Sequence, residues 1–110
     1  MTGWNGQVRR AEAGDCEDVA VLAAELAQSF AFSPQRFRAS YPALLADPGA
    51  CLLLAADGRE TLGYLLGFRH LSFYANGPGA WIEEIAVRSR DRGRGVGAAL
   101  VSGAGQSFST

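Results

Sequence analysis

The stretch Trp81-Ile82-Glu83-Glu84-Ile85-Ala86-Val87, followed after a five-residue step by Arg92-Gly93-Arg94-Gly95-Val96-Gly97-Ala98, decides the fold. The first part is typical of a strand, and the second places three alternate glycines before an apolar helical pattern. Glycines let a backbone approach a ligand closely, and the N-terminus of a helix offers unpaired N–H groups and a dipole that favours an anion. The segment therefore predicts a phosphate or pyrophosphate site with two carboxylates beside it.

Two other classes of phosphate-binding loop compete for this pattern. A Walker A loop requires a lysine, and all ten basic residues of this chain are arginine, so that class is excluded. Gly93, Gly95 and Ala98 satisfy the dinucleotide fingerprint G-x-G-x-x-G/A. The acidic residue expected about twenty positions later in that fingerprint would fall beyond Thr110. The dinucleotide-binding interpretation is incomplete but stays open.

The remaining pattern is Arg/Gln-x-x-Gly-x-Gly/Ala, filled by Arg92, Gly95 and Gly97. Joined to the strand Ile82-Glu83-Glu84-Ile85-Ala86-Val87, it resembles the core of the GNAT superfamily of N-acetyltransferases, and the resemblance extends from Gly63 to Val101. The segments Gly63-Tyr64-Leu65-Leu66-Gly67-Phe68 and Phe73-Tyr74-Ala75-Asn76-Gly77 are similar to the branch of that superfamily that acetylates small amines, including polyamines.

The resemblance implies an N-acetyltransferase that moves an acetyl group from acetyl-coenzyme A to a primary amine of a small molecule or peptide by direct attack. Backbone N–H groups of residues 93 to 98 would hold the pyrophosphate, and the acidic strand would pair with the pantetheine amides. The residues expected to bind the cofactor are Ile85, Ala86, Val87, Arg92, Gly93, Arg94, Gly95, Val96, Gly97 and Ala98.

Glu83 and Glu84 are the candidate catalytic residues. Side chains alternate along a strand, so at most one of the two faces a given pocket. Burial among apolar neighbours raises the pKa of a carboxyl group toward the range useful for a general base. The resemblance points to Glu83 as the group that takes a proton from the amine, although an ordinary strand carboxylate is the alternative. Phe73 and Tyr74, in a loop before the acidic strand, are the candidate substrate contacts.

Periodicity along the chain predicts the order β-α-α-β-β-β-α, an α/β (α+β) fold with a mainly antiparallel sheet flanked by helices. Residues 7–13 favour a strand, and Gly14-Asp15 supplies an N-cap for a first helix. Ser33-Pro34 starts a second helix, which Pro42 is expected to kink or split. Asp57-Gly58 joins two apolar strands as a hairpin, and the last helix is expected from Val96 to about Gly105.

Length and composition are those of a single domain over residues 1–110. Eleven acidic and ten basic residues leave no electrostatic basis for binding nucleic acid or an anionic membrane. The sequence has no apolar run long enough to cross a bilayer and no signal-peptide pattern at its start, so a cytoplasmic location is expected. Cys16 and Cys51 have no C-x-x-C spacing and are interpreted as reduced thiols, and with His70 they make a poor metal set, so no metal is assigned.

The resemblance also implies a further strand, a helix and a hairpin after the last helix, and residues 106–110 are too few to form them. The tyrosine that protonates the leaving thiolate in the superfamily would lie in that helix, so no residue here is assigned that role. Three interpretations stay open. The sequence is a truncated acetyltransferase, or it completes its sheet with a second copy or a partner chain, or it binds coenzyme A without catalysis. An unpaired strand edge invites pairing, so a homodimer is one expectation.

Overall fold

A computed structural model of the protein describes residues 4–27, 31–72 and 77–108, and of residues 70–72 and 77–80 the backbone alone. It contains four strands and three α-helices: β1 (Gln7–Arg10), α1 (Cys16–Leu26), α2 (Pro34–Ala46), β2 (Ala50–Asp57), β3 (Glu60–Ser72), β4 (Gly77–Val87) and α3 (Val96–Phe108). Two 3-10 turns, Ala13–Asp15 and Ser89–Asp91, precede α1 and α3. The predicted order of helices and strands is confirmed.

The four strands form one sheet in the order β1-β2-β3-β4, and each described pairing is antiparallel. This is the mainly antiparallel sheet that the sequence predicts. The dinucleotide-binding fold is built instead on a parallel sheet with helical crossovers. The glycine-rich segment with the incomplete dinucleotide fingerprint therefore belongs to a sheet whose topology differs from that of the dinucleotide-binding fold.

Alternation along β2 places a hydrophobic core on each face of the sheet. Leu52 and Leu54 pack on one face with Val19 and Leu22 of α1 and Tyr41 of α2. The opposite side chains of β2 pack with α3, in a cluster comprising Cys51, Leu53, Ala55, Leu62, Leu65, Val96, Leu100 and Ala104. Helices α1 and α2 thus cover one face and α3 covers the other, because both faces of a largely apolar sheet must be removed from water.

The starts of the first two helices use their sequence signals differently. Ser33 caps α2 as predicted, since its Oγ accepts a 3.3 Å hydrogen bond from the N–H of Arg36. Asp15 occupies the cap position of α1, but its carboxylate caps no helical N–H and instead accepts two 2.9 Å hydrogen bonds from the guanidinium of Arg9. Those hydrogen bonds lower the pKa of Asp15 and tie β1 to the start of α1.

Two helices are more continuous than their sequences suggest. Pro42 lies inside α2 without ending it, and the helix packs Phe37, Tyr41 and Leu44 against the core on either side of the proline. Helix α3 was expected to end at about Gly105 and continues to Phe108, although it contains Gly103 and Gly105. Gly103 explains part of this, because a Cβ there would lie 2.9 Å from Cγ1 of Val8. The helix therefore packs closely on the sheet here, and a side chain at position 103 would require Val8 to shift.

Candidate active site

A β-bulge in β4 decides where its two adjacent carboxylates point. Leu66 of β3 is paired with Glu84, and the next residue, Gly67, is paired with Ile82, so Glu83 has no partner residue on β3. One extra residue in a strand breaks the strict alternation of side chains. The bulge thus fixes the side chain of Glu84 on the sheet face of Tyr64 and Leu66, which is the face covered by α1 and α2.

Glu84 is held by a tyrosine from the neighbouring strand. The hydroxyl of Tyr64 donates a 2.7 Å hydrogen bond to Oε1 of Glu84. Tyr64 is only 2% exposed, and burial raises its pKa well above the ordinary value, with the hydrogen bond to Glu84 and the charge of that carboxylate raising it further. The tyrosine is therefore a fixed neutral donor at any physiological pH, and Oε2 of Glu84 has no hydrogen-bond partner among residues 4–27, 31–72 and 77–108.

Glu83, the carboxylate favoured by the resemblance, lies elsewhere. It is the extra residue of the bulge, and its side chain is exposed. It does not line the cavity that contains Glu84. Of the two candidate catalytic residues, the structure brings Glu84 alone together with a cavity and a buried hydrogen-bond donor.

That cavity has a volume of about 460 Å³ and lies between α1, α2 and the face of β2, β3 and β4. Its volume is within the range of small-molecule sites. Most of its lining is apolar or aromatic, with contributions from Val19, Ala23, Leu26, Phe32, Phe37, Tyr41, Leu44, Leu52, Tyr64 and Leu66. Glu84 and Arg36 are the charged residues among the described residues that line it. We call it the acceptor cavity, after the amine acceptor that the sequence resemblance implies.

The glycine-rich segment forms an open turn between β4 and α3. Gly93 and Gly95 have φ values of 80° and 87°, which side chains other than glycine rarely adopt. A Cβ at either position would meet no heavy atom within 4 Å. Glycine is therefore required there by the backbone conformation, and the space beside each α-carbon is open.

The first turn of α3 offers N–H groups to that open space. The first hydrogen bond back from the helix runs from the N–H of Ala99 to the carbonyl oxygen of Gly95 at 3.0 Å. The N–H groups of Val96, Gly97 and Ala98 precede it, as the first donors of any α-helix do. Together with the helix dipole they form an arrangement suited to a phosphate or pyrophosphate.

The two arginines of the turn make local contacts. Nε of Arg92 donates to the carbonyl oxygen of Val87 at 3.2 Å, and the side chain is otherwise exposed. Nη1 of Arg94 donates to Oδ1 of Asp91 at 2.7 Å. Both arginines therefore carry part of the geometry of the turn, besides placing positive charge beside it.

Asp91 is a functional candidate that sequence reasoning missed. It is 3% exposed, its N–H donates to the carbonyl oxygen of Arg88 at 2.8 Å, and its Oδ2 lies 3.6 Å from Nε of Arg90 without a hydrogen bond. A buried carboxylate between two arginines holds the turn from inside. The sequence signal was weak, since one acid among four arginines in residues 88–94 looks like a solvated charge cluster.

The same loop is braced against the β2–β3 hairpin. The N–H of Arg88 donates to the carbonyl oxygen of Leu62 at 2.7 Å, and its guanidinium donates to Glu60 at 3.0 Å and to the carbonyl oxygen of Thr61. Arg90 also pairs with Glu60. The β4 end of the segment between β4 and α3 is thus fixed to the hairpin without any ligand.

The segment Ile85–Val87 lies at the edge of the described sheet, since β4 pairs with β3 and with no other described strand. Ala86 is buried, Val87 is half-buried and Ile85 is 36% exposed. Every second residue of an edge strand presents its N–H and C=O away from the sheet. The edge can therefore accept an extended chain with amide groups.

Two of the site residues predicted from the sequence cannot be placed in this site. Phe73 and Tyr74, the candidate substrate contacts, lie outside the described residues. Within the ranges 4–27, 31–72 and 77–108, no cluster of three or more His, Cys, Asp or Glu side chains could hold a metal ion. No helix of those ranges is long and apolar enough to cross a membrane.

Comparison with known proteins identifies the family of the chain. The family model for the acetyltransferase (GNAT) family matches residues 17–104. An integron cassette protein from the mobile metagenome of Cole Harbour Salt Marsh is 31% identical in a solved structure with a TM-score of 0.84. That match covers 92% of this chain and 68% of the cassette protein. No sequence among the curated proteins matches this chain.

Two more distant structures share the fold. Aminoglycoside antibiotic 6'-N-acetyltransferase from Acinetobacter haemolyticus matches with a TM-score of 0.78 and 21% identity, over 94% of this chain and 73% of that enzyme. Ribosomal-protein-alanine N-acetyltransferase from Brucella melitensis matches with a TM-score of 0.77 and 19% identity, over 96% of this chain and 72% of that enzyme.

Proposed function

Since the chain belongs to the acetyltransferase (GNAT) family, we propose that it transfers an acetyl group from acetyl-coenzyme A to a primary amine of a small molecule or peptide. The observation that carries the proposal is the position of β4 between two features. Its Glu84 side chain lines the acceptor cavity, and its C-terminal end leads into the glycine turn at the N-terminus of α3.

The glycine turn fits the pyrophosphate of coenzyme A. Gly93 and Gly95 leave the space beside the backbone open, and the N–H groups of Val96, Gly97 and Ala98 can donate to phosphate oxygens. Arg92 and Arg94 add positive charge near the turn. These residues hold the cofactor by its anionic part.

The edge of β4 positions the reacting end of the cofactor. Ile85, Ala86 and Val87 can pair with pantetheine amides as an added strand would. An N–H group of this edge then also lies where it can polarise a thioester carbonyl, which is the preorganised role of an oxyanion hole. Acetyl-coenzyme A supplies an activated acetyl group. The neutral amine nitrogen bonds to its carbonyl carbon, the C–S bond breaks, and the proton that the nitrogen then releases goes to the departing thiolate.

Glu84 deprotonates the amine. An amine bound in the acceptor cavity arrives mostly as an ammonium ion, which cannot attack a carbonyl carbon until it loses a proton. Oε2 of Glu84 accepts that proton, directly or through a water molecule, while the Tyr64 hydroxyl holds Oε1. Neither cysteine of the chain lines the cavity, so the proposal contains no acyl-enzyme.

The two distant structures support a range of acceptors for this fold. One is named for an aminoglycoside antibiotic and the other for the alanine of a ribosomal protein. An amine of a small molecule or a peptide is therefore within what the fold accommodates.

A charge placed at the start of α3 tests the cofactor assignment. Ala98→Glu adds a carboxylate at an exposed position of the first helical turn, where the dipole favours it, so folding is retained. It repels the pyrophosphate, and we expect coenzyme A affinity in calorimetry to fall at least tenfold. Gln106→Glu is the control, because it adds the same charge about 12 Å further along the helix, beyond the Debye length of about 8 Å at 0.15 M salt. Equal affinities in the two variants would refute the assignment.

A further inference from the structure

The acceptor cavity has the chemistry of a site for a singly charged, apolar amine. Of the charged groups among its described lining residues, Glu84 is negative and Arg36 is positive, so the lining has no net charge. One carboxylate can neutralise one ammonium ion. A second ammonium on the same molecule would meet apolar side chains or the guanidinium of Arg36.

The cavity also offers few free hydrogen-bonding groups. The Tyr64 hydroxyl donates to Glu84, the Tyr41 hydroxyl donates to the carbonyl oxygen of Glu12 at 2.7 Å, and Ser33 Oγ accepts from the N–H of Arg36. The two tyrosine hydroxyls are therefore engaged within the protein, and Ser40, which also belongs to the described lining, is an exposed residue. A ligand rich in hydroxyls or amines would therefore lose hydrogen bonds to water without replacing them, which costs free energy.

The apolar part of the lining favours a ring or a branched chain. Phe32 and Phe37 meet edge to face with ring centroids 5.7 Å apart, and Phe37 and Tyr41 are also 5.7 Å apart. All three rings line the cavity. Aromatic clusters of this kind bind apolar and aromatic groups through buried area and ring contacts.

We infer that the acceptor is a monoamine carried on an apolar, ring-sized body, and that polyamines are poor acceptors. The inference rests on the proposed function, since it takes the cavity as the acceptor site. Binding seats the ammonium at Oε2 of Glu84 and the apolar body against the rings of Phe32, Phe37 and Tyr41. Specificity then comes from the single carboxylate among the described lining residues of the cavity.

The test compares 2-phenylethylamine with spermidine. Both are incubated with the protein and acetyl-coenzyme A, and the acetylated products are measured by mass spectrometry. We expect kcat/KM for 2-phenylethylamine to exceed that for spermidine at least tenfold. An equal or higher value for spermidine would overturn the inference.

A matched pair of variants in α1 tests the charge argument. Leu26 lines the cavity and is 42% exposed, whereas Val21 is 64% exposed and lies outside the lining. Leu26→Glu gives the cavity a second carboxylate, and we expect the preference for 2-phenylethylamine over spermidine to fall about tenfold. Val21→Glu adds the same charge to the same helix and should leave the preference within about twofold. An unchanged preference in Leu26→Glu would contradict the inference.

Measured binding of the two amines distinguishes failure of this inference from failure of the proposed function. If neither amine is acetylated, the proposed transfer fails, and the same two amines are titrated into the protein saturated with coenzyme A. Tighter binding of 2-phenylethylamine than of spermidine would support the cavity assignment even then. Tighter binding of spermidine, or no binding of either amine, would overturn it.

Discussion

The hydroxyl of Tyr64 and the carboxylate of Glu84 form a 2.7 Å hydrogen bond across β3 and β4, at the floor of the acceptor cavity. The two residues are diagonal neighbours on one face, since Tyr64 is paired with Ala86 and Leu66 with Glu84. The bond orients the carboxylate and leaves one oxygen for a ligand. It is also the contact that ties the proposed base to the core.

Replacement of each adjacent carboxylate distinguishes their roles. Glu84→Gln keeps the hydrogen bond from Tyr64 possible but removes the proton acceptor, so we expect acetyl transfer to fall by a factor of about 10² or more. Glu83→Gln changes an exposed side chain outside the cavity and should alter the rate less than about threefold. Rates are measured at saturating acetyl-coenzyme A. A larger loss in Glu83→Gln than in Glu84→Gln would reverse the assignment.

Loss of the Tyr64 hydroxyl should impair the use of the amine without changing the binding of coenzyme A. In Tyr64→Phe the carboxylate of Glu84 loses its fixed donor, and we expect kcat/KM for the amine to fall about tenfold. Coenzyme A affinity should not change, because the glycine turn is intact. Tyr41→Phe is the control, since it removes another hydroxyl from the cavity lining that donates to Glu12 and not to Glu84. Equal losses in the two variants would mean that the Tyr64 hydroxyl has no specific role.

The pair Asp91–Arg94 should stabilise the fold more than a surface pair does. Asp91 is almost fully buried, and without Arg94 its carboxylate keeps only the longer 3.6 Å contact with Arg90. We expect a coupling free energy of at least about 1 kcal/mol from the double-mutant cycle of Asp91→Ala and Arg94→Ala. The exposed pair Glu17–Arg38 serves as the comparison and should couple by less than about 0.5 kcal/mol. Urea denaturation of the variants measures both. A weaker coupling at Asp91–Arg94 would argue against its bracing role.

Alkaline pH should destabilise the protein through Tyr41. Burial raises the pKa of Tyr41 to about 12, and the charge of Asp15 acts in the same direction. Above pH 10 the unfolded chain loses the phenolic proton while the folded state retains it, so stability is fully present below pH 10 and falls as pH rises toward 12. The loss expected from this residue is roughly 2–3 kcal/mol. Tyr41→Phe should therefore show a shallower decline of the free energy of unfolding over this range, and parallel declines would contradict the prediction.

Sequence patterns predicted the local parts of the structure well. The strand, the glycine turn and the helical start of α3 follow from neighbouring residues, and the hairpin around Asp57-Gly58 follows from its turn signal. The last helix was predicted to run through Gly103 to about Gly105; its extension to Phe108 and the continuity of α2 through Pro42 were not predicted. Both depend on packing, because tertiary contacts outweigh the cost of a poor helical residue.

The residues that form the acceptor cavity could not be assigned from the sequence. Alternation along a strand could not tell which of Glu83 and Glu84 faces a cavity, since a bulge shifts that register. Tyr64, twenty positions before Glu84, reaches it through strand pairing. In the sequence, Asp91 has the pattern of a solvated charge among arginines, and only the fold shows that it is buried.

By itself, the sequence determined the family, the order of helices and strands and the glycine turn. Each of these is indicated by residues that are close together in the chain, and their spacing sets the local backbone conformation. The tertiary structure alone decided that Glu84 lines the cavity, that Tyr64 holds it and that α1 and α2 enclose an apolar space whose described lining has one carboxylate. These features join residues distant in the chain, and their positions depend on strand register and helix packing, which local periodicity does not encode.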